Sequence, residues 1–567
     1  MAFDLKRISS ARWVKFCLYL IPLFLVGISS HPLLTGIIED EVIYSSAAQS
    51  WAEGVGFQVS VLPGEPPLTK YPPLYSLLLG VAMNLAALVS PALILWAYVF
   101  VQLSLTGLLC WLFTRWAKIL GIPLPVQIAL MAAFFGNYHT LMLFAAPMSE
   151  ALFMVLGAAA LFAFLPEQIA REEGRRTRLI GGAICSGLAL LARSVGVGLI
   201  AGLGAFLLWK RKFRAVGVLA ICFLLALGIN QLFKSSAQIA PDGVPQGHLS
   251  GYYTTYQFVL APYSHAWESG GVGGLIRRIG ANVAANARNG LASLGNVFFP
   301  LHDDSLSVPA GSGGWGHLPA GLVILGGACY GLTRKLCGTM LLCVLVATLG
   351  ILLVWTWPLT GRFWIPLFPI LLLGIFFALR RFDRIGTWIF CAICAGSCLL
   401  NFPFVVERII SARFPADWAE AARRPEEPLA VREYAAHWGW LQKQSAQEPG
   451  LVILGGLNTL QKAAHFGVQG LWLDTFQHPV VFLDTCIGLT PPAHFMEQAP
   501  AQFARALEQF ARAHPQKPVY IVSDFVLGPR QKAMLEQFAR ERPEAVERVF
   551  VSEGGNVVIY RLESGGP

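Results

Sequence analysis

Three acids in a row, Glu39-Asp40-Glu41, follow directly on the first apolar run of the chain, Phe16 to about Leu34, and Lys70 closes the segment behind them. A carboxylate is costly in the hydrocarbon of a bilayer, so the cluster belongs at its water edge. Carboxylates exchange protons and fixed cations hold anions. A surface segment carrying both reads as an active site turned toward whatever the apolar body holds. The segment, Ile37 to Tyr75, is too polar to span and too apolar for a plain linker. Ser45 to Trp51 reads as an amphipathic helix and Gly54 to Gly64 as an extended turn region. The pairs Pro66-Pro67 and Pro72-Pro73 fix two non-helical breaks.

The elements that must position these groups are membrane helices. With 567 residues, 55% of them hydrophobic and 13% charged, and a mean hydropathy of +0.57, the chain is excluded from the soluble class, and its repeated apolar runs make it polytopic. A basic N-terminus (Lys6, Arg7, Arg12, Lys15) precedes the first run without a small-residue cleavage signature, which predicts an uncleaved first helix. The net charge of +9 does not indicate a nucleic-acid partner, because the basic residues gather in short loops between apolar runs, as the positive-inside rule requires. Of the eleven cysteines only Cys486 lies in a polar region, so neither a disulfide framework nor a metal site is expected; Cys391, Cys394 and Cys398 follow helical spacing as small buried hydrophobes.

Placing the basic clusters around Arg115, Arg175, Arg211, Arg334 and Arg380 on the cytoplasmic side threads the chain. About eleven spans result: 16–34, 92–113, 121–138, 150–165, 179–192, 194–209, 215–233, 319–333, 338–356, 364–379 and 386–402. The N-terminus is then inside and the C-terminus outside. Leu74 to Val89 is expected as an interfacial or re-entrant helix, and Leu179 to Trp209 as two short helices meeting at Arg193. In the long outer loop 234–318, the basic segment Leu275 to Leu294 is expected to lie flat on the membrane. The fold class is therefore mainly α: a polytopic helical bundle over residues 1–403, with surface helices in the first outer loop. Residues 404–567 form a small extracytoplasmic α/β domain, with strands expected at Leu451–Leu454, Val480–Asp484, Pro518–Ser523 and Val557–Arg561.

This threading places Asp40, Glu41, Lys70, His139, Glu150, Arg193 and Arg362 at one level. Each falls at the outer end of a span or in the first outer loop. Span ends are the cheapest place for a charge, and any one of these residues alone reads as a snorkelling side chain. As a set, the acids and bases are expected to converge on one outer cavity.

The order of short motifs behind the first span resembles the GT-C class of membrane glycosyltransferases, which includes protein O-mannosyltransferases and bacterial lipid A aminoarabinose transferases. The matching residues are Asp40-Glu41, Tyr44, the run Trp51-Ala52-Glu53-Gly54-Val55-Gly56-Phe57, and Tyr71-Pro72-Pro73-Leu74-Tyr75. Ser149-Glu150, Gly187 to Arg193, and Arg362 in Gly361 to Leu373 fit the same layout. The resemblance implies transfer of a sugar from a polyprenyl-phosphate carrier to a glycan, lipid or protein acceptor on the outer face of a bacterial inner membrane. Asp40 is the candidate base, taking the acceptor hydroxyl proton in an inverting transfer, with Glu41 and Glu150 orienting hydroxyls. Lys70, Arg193 and Arg362 would hold the lipid phosphate, and Tyr44, Tyr71 and His139 would contact substrate. No cofactor is implied, although a pyrophosphate donor would call for a divalent metal at the acids. The alternatives are a multi-span transporter or flippase of lipid-linked sugar, and a membrane scaffold displaying the C-terminal domain. An acid cluster and a lysine in one surface segment have no purpose in either.

Overall fold

The computed structural model describes residues 12–30, 39–58, 68, 71–166, 174–235, 261–300, 317–354, 359–411, 429–448, 451–455 and 469–472. Toward the C-terminus it describes 501, 504–505, 507–510, 512, 518–523, 529–555 and 557–562. Lys70, Cys486 and the strand expected at Val480–Asp484 lie outside the described residues.

The chain opens with α1 (Arg12–Ser29), α2 (Glu39–Ala52) and α3 (Leu74–Val89). α4 (Ala97–Ile119), α5 (Leu124–Phe135), α6 (Tyr138–Ala145) and α7 (Ser149–Ala163) follow. Then come α8 (Arg175–Ala192), α9 (Gly196–Trp209), α10 (Phe213–Ser235) and the long α11 (Ala261–Phe298). The helical part ends with α12 (Leu318–Leu332), α13 (Leu336–Val354), the one-turn α14 (Gly361–Trp364), α15 (Phe368–Leu379) and α16 (Asp383–Ser411).

Among the described residues four helical stretches are long and apolar enough to cross a membrane: 97–119, 213–233, 336–354 and 361–406. The pair α5–α6, bent by 67°, makes a fifth if it is one span. The expected count of about eleven is therefore not reached by length and composition; α3, α7, α9 and α12 are apolar but short. The stretch 361–406 is itself broken. A 3₁₀ turn, Arg380–Phe382, and Asp383 at φ 49° separate α15 from α16, and Gly386 lies so near Leu379 that a Cβ would have no room. Large apolar side chains face outward along the bundle, among them Leu224, Leu225 and Leu232 of α10, each more than 60% exposed. Such a surface suits lipid and not water.

Several breaks come from local chemistry. The Pro72-Pro73 pair starts α3, as expected, since proline fits a helix start and not its interior. Between α8 and α9, Arg193 is extended (φ −150°, ψ 136°), and Gly196 presses against the backbone of Ala189 and Leu190. The helix ends there, as the two-helix reading of 179–209 requires. Asn137 caps α6 by accepting the Thr140 N–H at 3.2 Å. The segment Leu275 to Leu294, expected on the membrane surface, is partly built into the bundle: Asn286, Ser293 and Leu294 are buried, and α11 packs on α12 and α13. Gly295 and Gly321 allow that close approach, since a Cβ on either would strike the neighbouring backbone.

Beyond α16, the helix α17 (Leu429–Gln447) leads into a mixed sheet ordered β2-β1-β3-β5-β4. β1 (Val452–Gly455) pairs in parallel with β2 (Gln469–Trp472) and β3 (Val519–Ser523). After α18 (Pro529–Glu541), β4 (Val546–Val551) and β5 (Val558–Leu562) add antiparallel. One sheet face, with Ile453, Tyr520, Val522 and Ile559, is buried with Trp440 and Leu441 of α17. The other, with Val452, Leu454, Val519 and Ile521, shares a cluster with Leu535 and Phe538 of α18 and also with Ile43, Ala47 and Leu68 of the first loop. The change of composition near Pro403 falls inside α16.

Candidate active site

Asp40 stands in the first turn of α2 and Glu150 in the first turn of α7, where the positive end of the helix dipole favours a carboxylate. Arg193 caps α8 and Arg362 lies in the single turn of α14. These four, separated by up to 322 residues, meet. Arg362 Nη2 pairs with Asp40 Oδ2 and its Nε with Glu150 Oε1, while Arg193 Nη1 pairs with the same Glu150 oxygen. The Glu150 side chain is fully buried, and the other three keep 12–14% of their surface. Two acids and two bases thus neutralise one another in a small, largely dry space, where an unpaired charge would be costly. Glu150 Oε2 is a buried acceptor without a hydrogen-bond partner among the described residues.

Three tyrosines wall this set. The Tyr71 hydroxyl donates to Asp40 Oδ1. Tyr44 and Ser149 share a hydroxyl–hydroxyl bond of 2.8 Å, and burial pushes the Tyr44 phenol well above its ordinary range, so it stays neutral. The Tyr44 ring lies 4.8 Å from Tyr71 and 5.2 Å from Tyr75. The proline pair between Tyr71 and Tyr75 sets one before the helix and the other within it. Upstream, Gly54 (φ 81°) and Gly56 (φ 110°) turn the chain through left-handed backbone, which favours glycine. That reversal lets Phe57 stack on Trp51 at 6.1 Å, and Gly80 of α3 lies directly under the Trp51 indole.

The other expected residues fall nearby in different ways. Glu41 is fully buried and takes no part in the ion pairs of Arg193 and Arg362. His139 is buried too, 3.0 Å from where a Cβ on Gly361 would stand. It therefore supports the backbone that presents Arg362. Sequence reasoning missed the supports of this set. Gln102, a buried amide inside the apolar α4, donates to the Tyr75 hydroxyl and the Met148 carbonyl, each at 3.1 Å, and so fixes the approach to Glu150. A polar side chain in mid-span was the available signal. On the far side, α11 clamps the chain that leads into and carries Arg362. Ser293 Oγ donates to the Leu359 carbonyl at 2.9 Å, and Trp364 Nε1 donates to the Gly290 carbonyl at 2.8 Å.

Adjoining the charges is a cleft lined by apolar side chains of α4, α7, α9, α13 and α15, with Arg193 and Arg362 as its cations. A second apolar cleft shares Phe113, Trp116 and Pro369 with it and extends toward Leu120 and Ile122 at the far end of α4. An apolar space with cations at one end is shaped for an amphiphile with an anionic head.

By sequence, neither a family model nor a curated protein matches this chain. By structure, the crystal structure of apo ArnT from Cupriavidus metallidurans matches over 98% of this chain and 99% of its own, with a TM-score of 0.51 and 12% identity. The oligosaccharyltransferase of Archaeoglobus fulgidus, solved with Zn and sulfate, covers 95% of this chain and 72% of its own, with a TM-score of 0.52 and 11% identity. Both neighbours are GT-C glycosyltransferases. The chain has the GT-C fold. In this GT-C fold the ion-paired set lies among the first loop and the ends of α7, α8 and α14, with the apolar cavity adjoining it.

Proposed function

We propose that the chain is an integral-membrane glycosyltransferase that moves a sugar from a polyprenyl-phosphate carrier to an acceptor at the outer face of the membrane, with inversion at the anomeric carbon. The observation that carries this reading is the placement of Arg193 and Arg362 at the polar edge of an apolar cavity, with Asp40 on the other side of Arg362. The apolar lining matches the chemistry of an isoprenoid, and a phosphate suits guanidiniums, which bind it in bidentate fashion. That the archaeal neighbour is an oligosaccharyltransferase agrees with the reaction class.

Arg362 connects binding to chemistry. In the resting protein it occupies Asp40 Oδ2 while Tyr71 occupies Oδ1. A carrier phosphate competes for Arg362, and as it does so Asp40 Oδ2 is released to accept a proton. Asp40 then takes the acceptor hydroxyl proton as that oxygen attacks the anomeric carbon. The bond from that carbon to the phosphate oxygen breaks, and the leaving phosphate keeps the electron pair under Arg193 and Arg362. Glu150 Oε2 is placed to accept a hydroxyl hydrogen of the sugar or acceptor. Lys70 and Glu41 are further candidates in the same loop. The reading calls for no divalent ion, since Arg193 and Arg362 supply the positive charge that a leaving monophosphate needs.

Binding of the free polyprenyl phosphate tests the reading before any sugar is identified. Arg193→Gln removes one charge-assisted donor, worth roughly 1.5–3 kcal/mol, so affinity should fall by about 10–100-fold in a displacement assay on reconstituted protein. A dephosphorylated polyprenol should bind the variant and the wild type alike. Unchanged phosphate affinity in Arg193→Gln would take the carrier phosphate out of this site.

A further inference from the structure

At the end of α15 away from Arg362, about 18 Å along the helix at about 1.5 Å per residue, a second group of cations stands apart from the ion-paired set. α12 and α15 cross at their glycines. A Cβ on Gly331 would strike the Gly374 carbonyl, and one on Gly374 the Ala328 carbonyl. That crossing forces two turns together: Thr333 to Lys335 after α12, and Arg380 to Phe382 after α15. Arg334 and Arg381 then converge on one phenol oxygen. Arg334 Nη2 and Arg381 Nη1 both donate to the Tyr330 hydroxyl, the latter at 3.3 Å. Arg334 lies 4.4 Å over the Tyr330 ring, and Arg381 lies 4.4 Å over Phe382.

Among the described residues neither arginine has an ion pair with Asp383 or any other carboxylate. A charge bias of loops explains why basic residues are here, but not why two guanidiniums from separate turns share one phenol oxygen. Each guanidinium carries five N–H donors, and the phenol uses a few. Lys335 and Arg380 add charge in the same two turns, and Arg384 adds more in the first turn of α16. Beside them Phe382, Ile385 and Trp388 expose apolar surface, at 46%, 69% and 65%. A fork of cations over outward apolar side chains at a helix end has the chemistry of a phospholipid site.

We propose that Tyr330, Arg334 and Arg381 form a binding site for the phosphate of an anionic phospholipid headgroup, whose acyl chains lie along Phe382, Ile385 and Trp388. The site is separate from the sugar-transfer set and does not depend on that reading. The full chain, delipidated in a neutral detergent and returned to nanodiscs of phosphatidylcholine with a minor share of phosphatidylglycerol, is read by native mass spectrometry for retained anionic lipid. Arg334→Gln with Arg381→Gln should lower retention at least fivefold. The control Arg211→Gln with Lys212→Gln, which removes equal charge from another turn, should leave it unchanged. Arg334→Lys with Arg381→Lys, gentler on folding, keeps the charge but loses the planar fork, and should fall between wild type and the glutamine pair. Millimolar inorganic phosphate should not displace the lipid. Equal loss in the two glutamine pairs, or full retention in the Arg334/Arg381 pair, would overturn the proposal. Displacement by inorganic phosphate alone would reassign the fork to a free anion and overturn it likewise.

Discussion

Asp40→Asn is expected to lower turnover by about 10²–10⁴-fold, the usual contribution of a general base, while binding of the carrier phosphate stays within a few-fold of wild type. Asparagine keeps the size of the side chain and can still accept from Tyr71, so the first loop should hold its shape. The competing account makes Asp40 only a counter-ion for Arg362. In that case Asn would lower the unfolding temperature and, by freeing Arg362 for the phosphate, tighten carrier binding, with turnover left close to that of the wild type. Turnover and carrier affinity, measured on the same reconstituted protein, separate the two. A variant that turns over within a few-fold of wild type would remove Asp40 as the base and pass the role to Glu41 or Glu150.

Arg362→Gln should be the most damaging single change. It takes from Asp40 and Glu150 the guanidinium they share, and among the described residues leaves Glu150 paired with Arg193. Breaking a buried pair from one side costs roughly 3–5 kcal/mol, so a marked drop in unfolding temperature should accompany loss of activity. Adding Asp40→Asn to Arg362→Gln removes the stranded charge and should restore much of the stability and none of the activity. Arg362→Lys carries the charge without the fork, and cannot reach both carboxylates at once. It should fold well and turn over slowly. If the double variant stays as unstable as Arg362→Gln alone, the ion-paired set is not what holds these elements together.

Much of this site is visible in the sequence because charges inside apolar stretches are rare enough to mark themselves. Glu150, Arg193 and Arg362 could be placed at one membrane level from the basic turns alone, and the structure brings them to Asp40. The glycines of the Trp51–Phe57 run and the prolines before Tyr75 also act where they were read, since positive φ and helix starts are local requirements. The pairings were not visible. Nothing in the local pattern says that Arg362 reaches two acids 322 and 212 residues away. The clamp by α11 was hidden for a related reason: Leu275 to Leu294 has the basic, amphipathic look of a surface helix, but its asparagine and serine are spent on carbonyls of neighbouring segments. Gln102 was lost in an apolar run that reads as an ordinary span. In the C-terminal sheet, β4 went unrecognised because its edge position leaves Glu547 and Arg548 exposed and a bulge between Arg548 and Phe550 breaks the alternation. Span number was the weakest reading, since several helices here are shorter than a bilayer and the long apolar runs are bent.

The central claim is sugar transfer from a lipid phosphate at the Asp40–Arg362–Glu150–Arg193 set. The most direct measurement incubates the protein, reconstituted in liposomes, with a panel of radiolabelled polyprenyl-phosphate sugars and mixed cell-envelope acceptors, and follows release of free polyprenyl phosphate together with the configuration of the new glycosidic bond. The account predicts release from one donor, inverted configuration in the product, and loss of both signals in Asp40→Asn. Movement of the intact lipid-linked sugar across the bilayer, with the sugar–phosphate bond unbroken and no label in any acceptor, would contradict it.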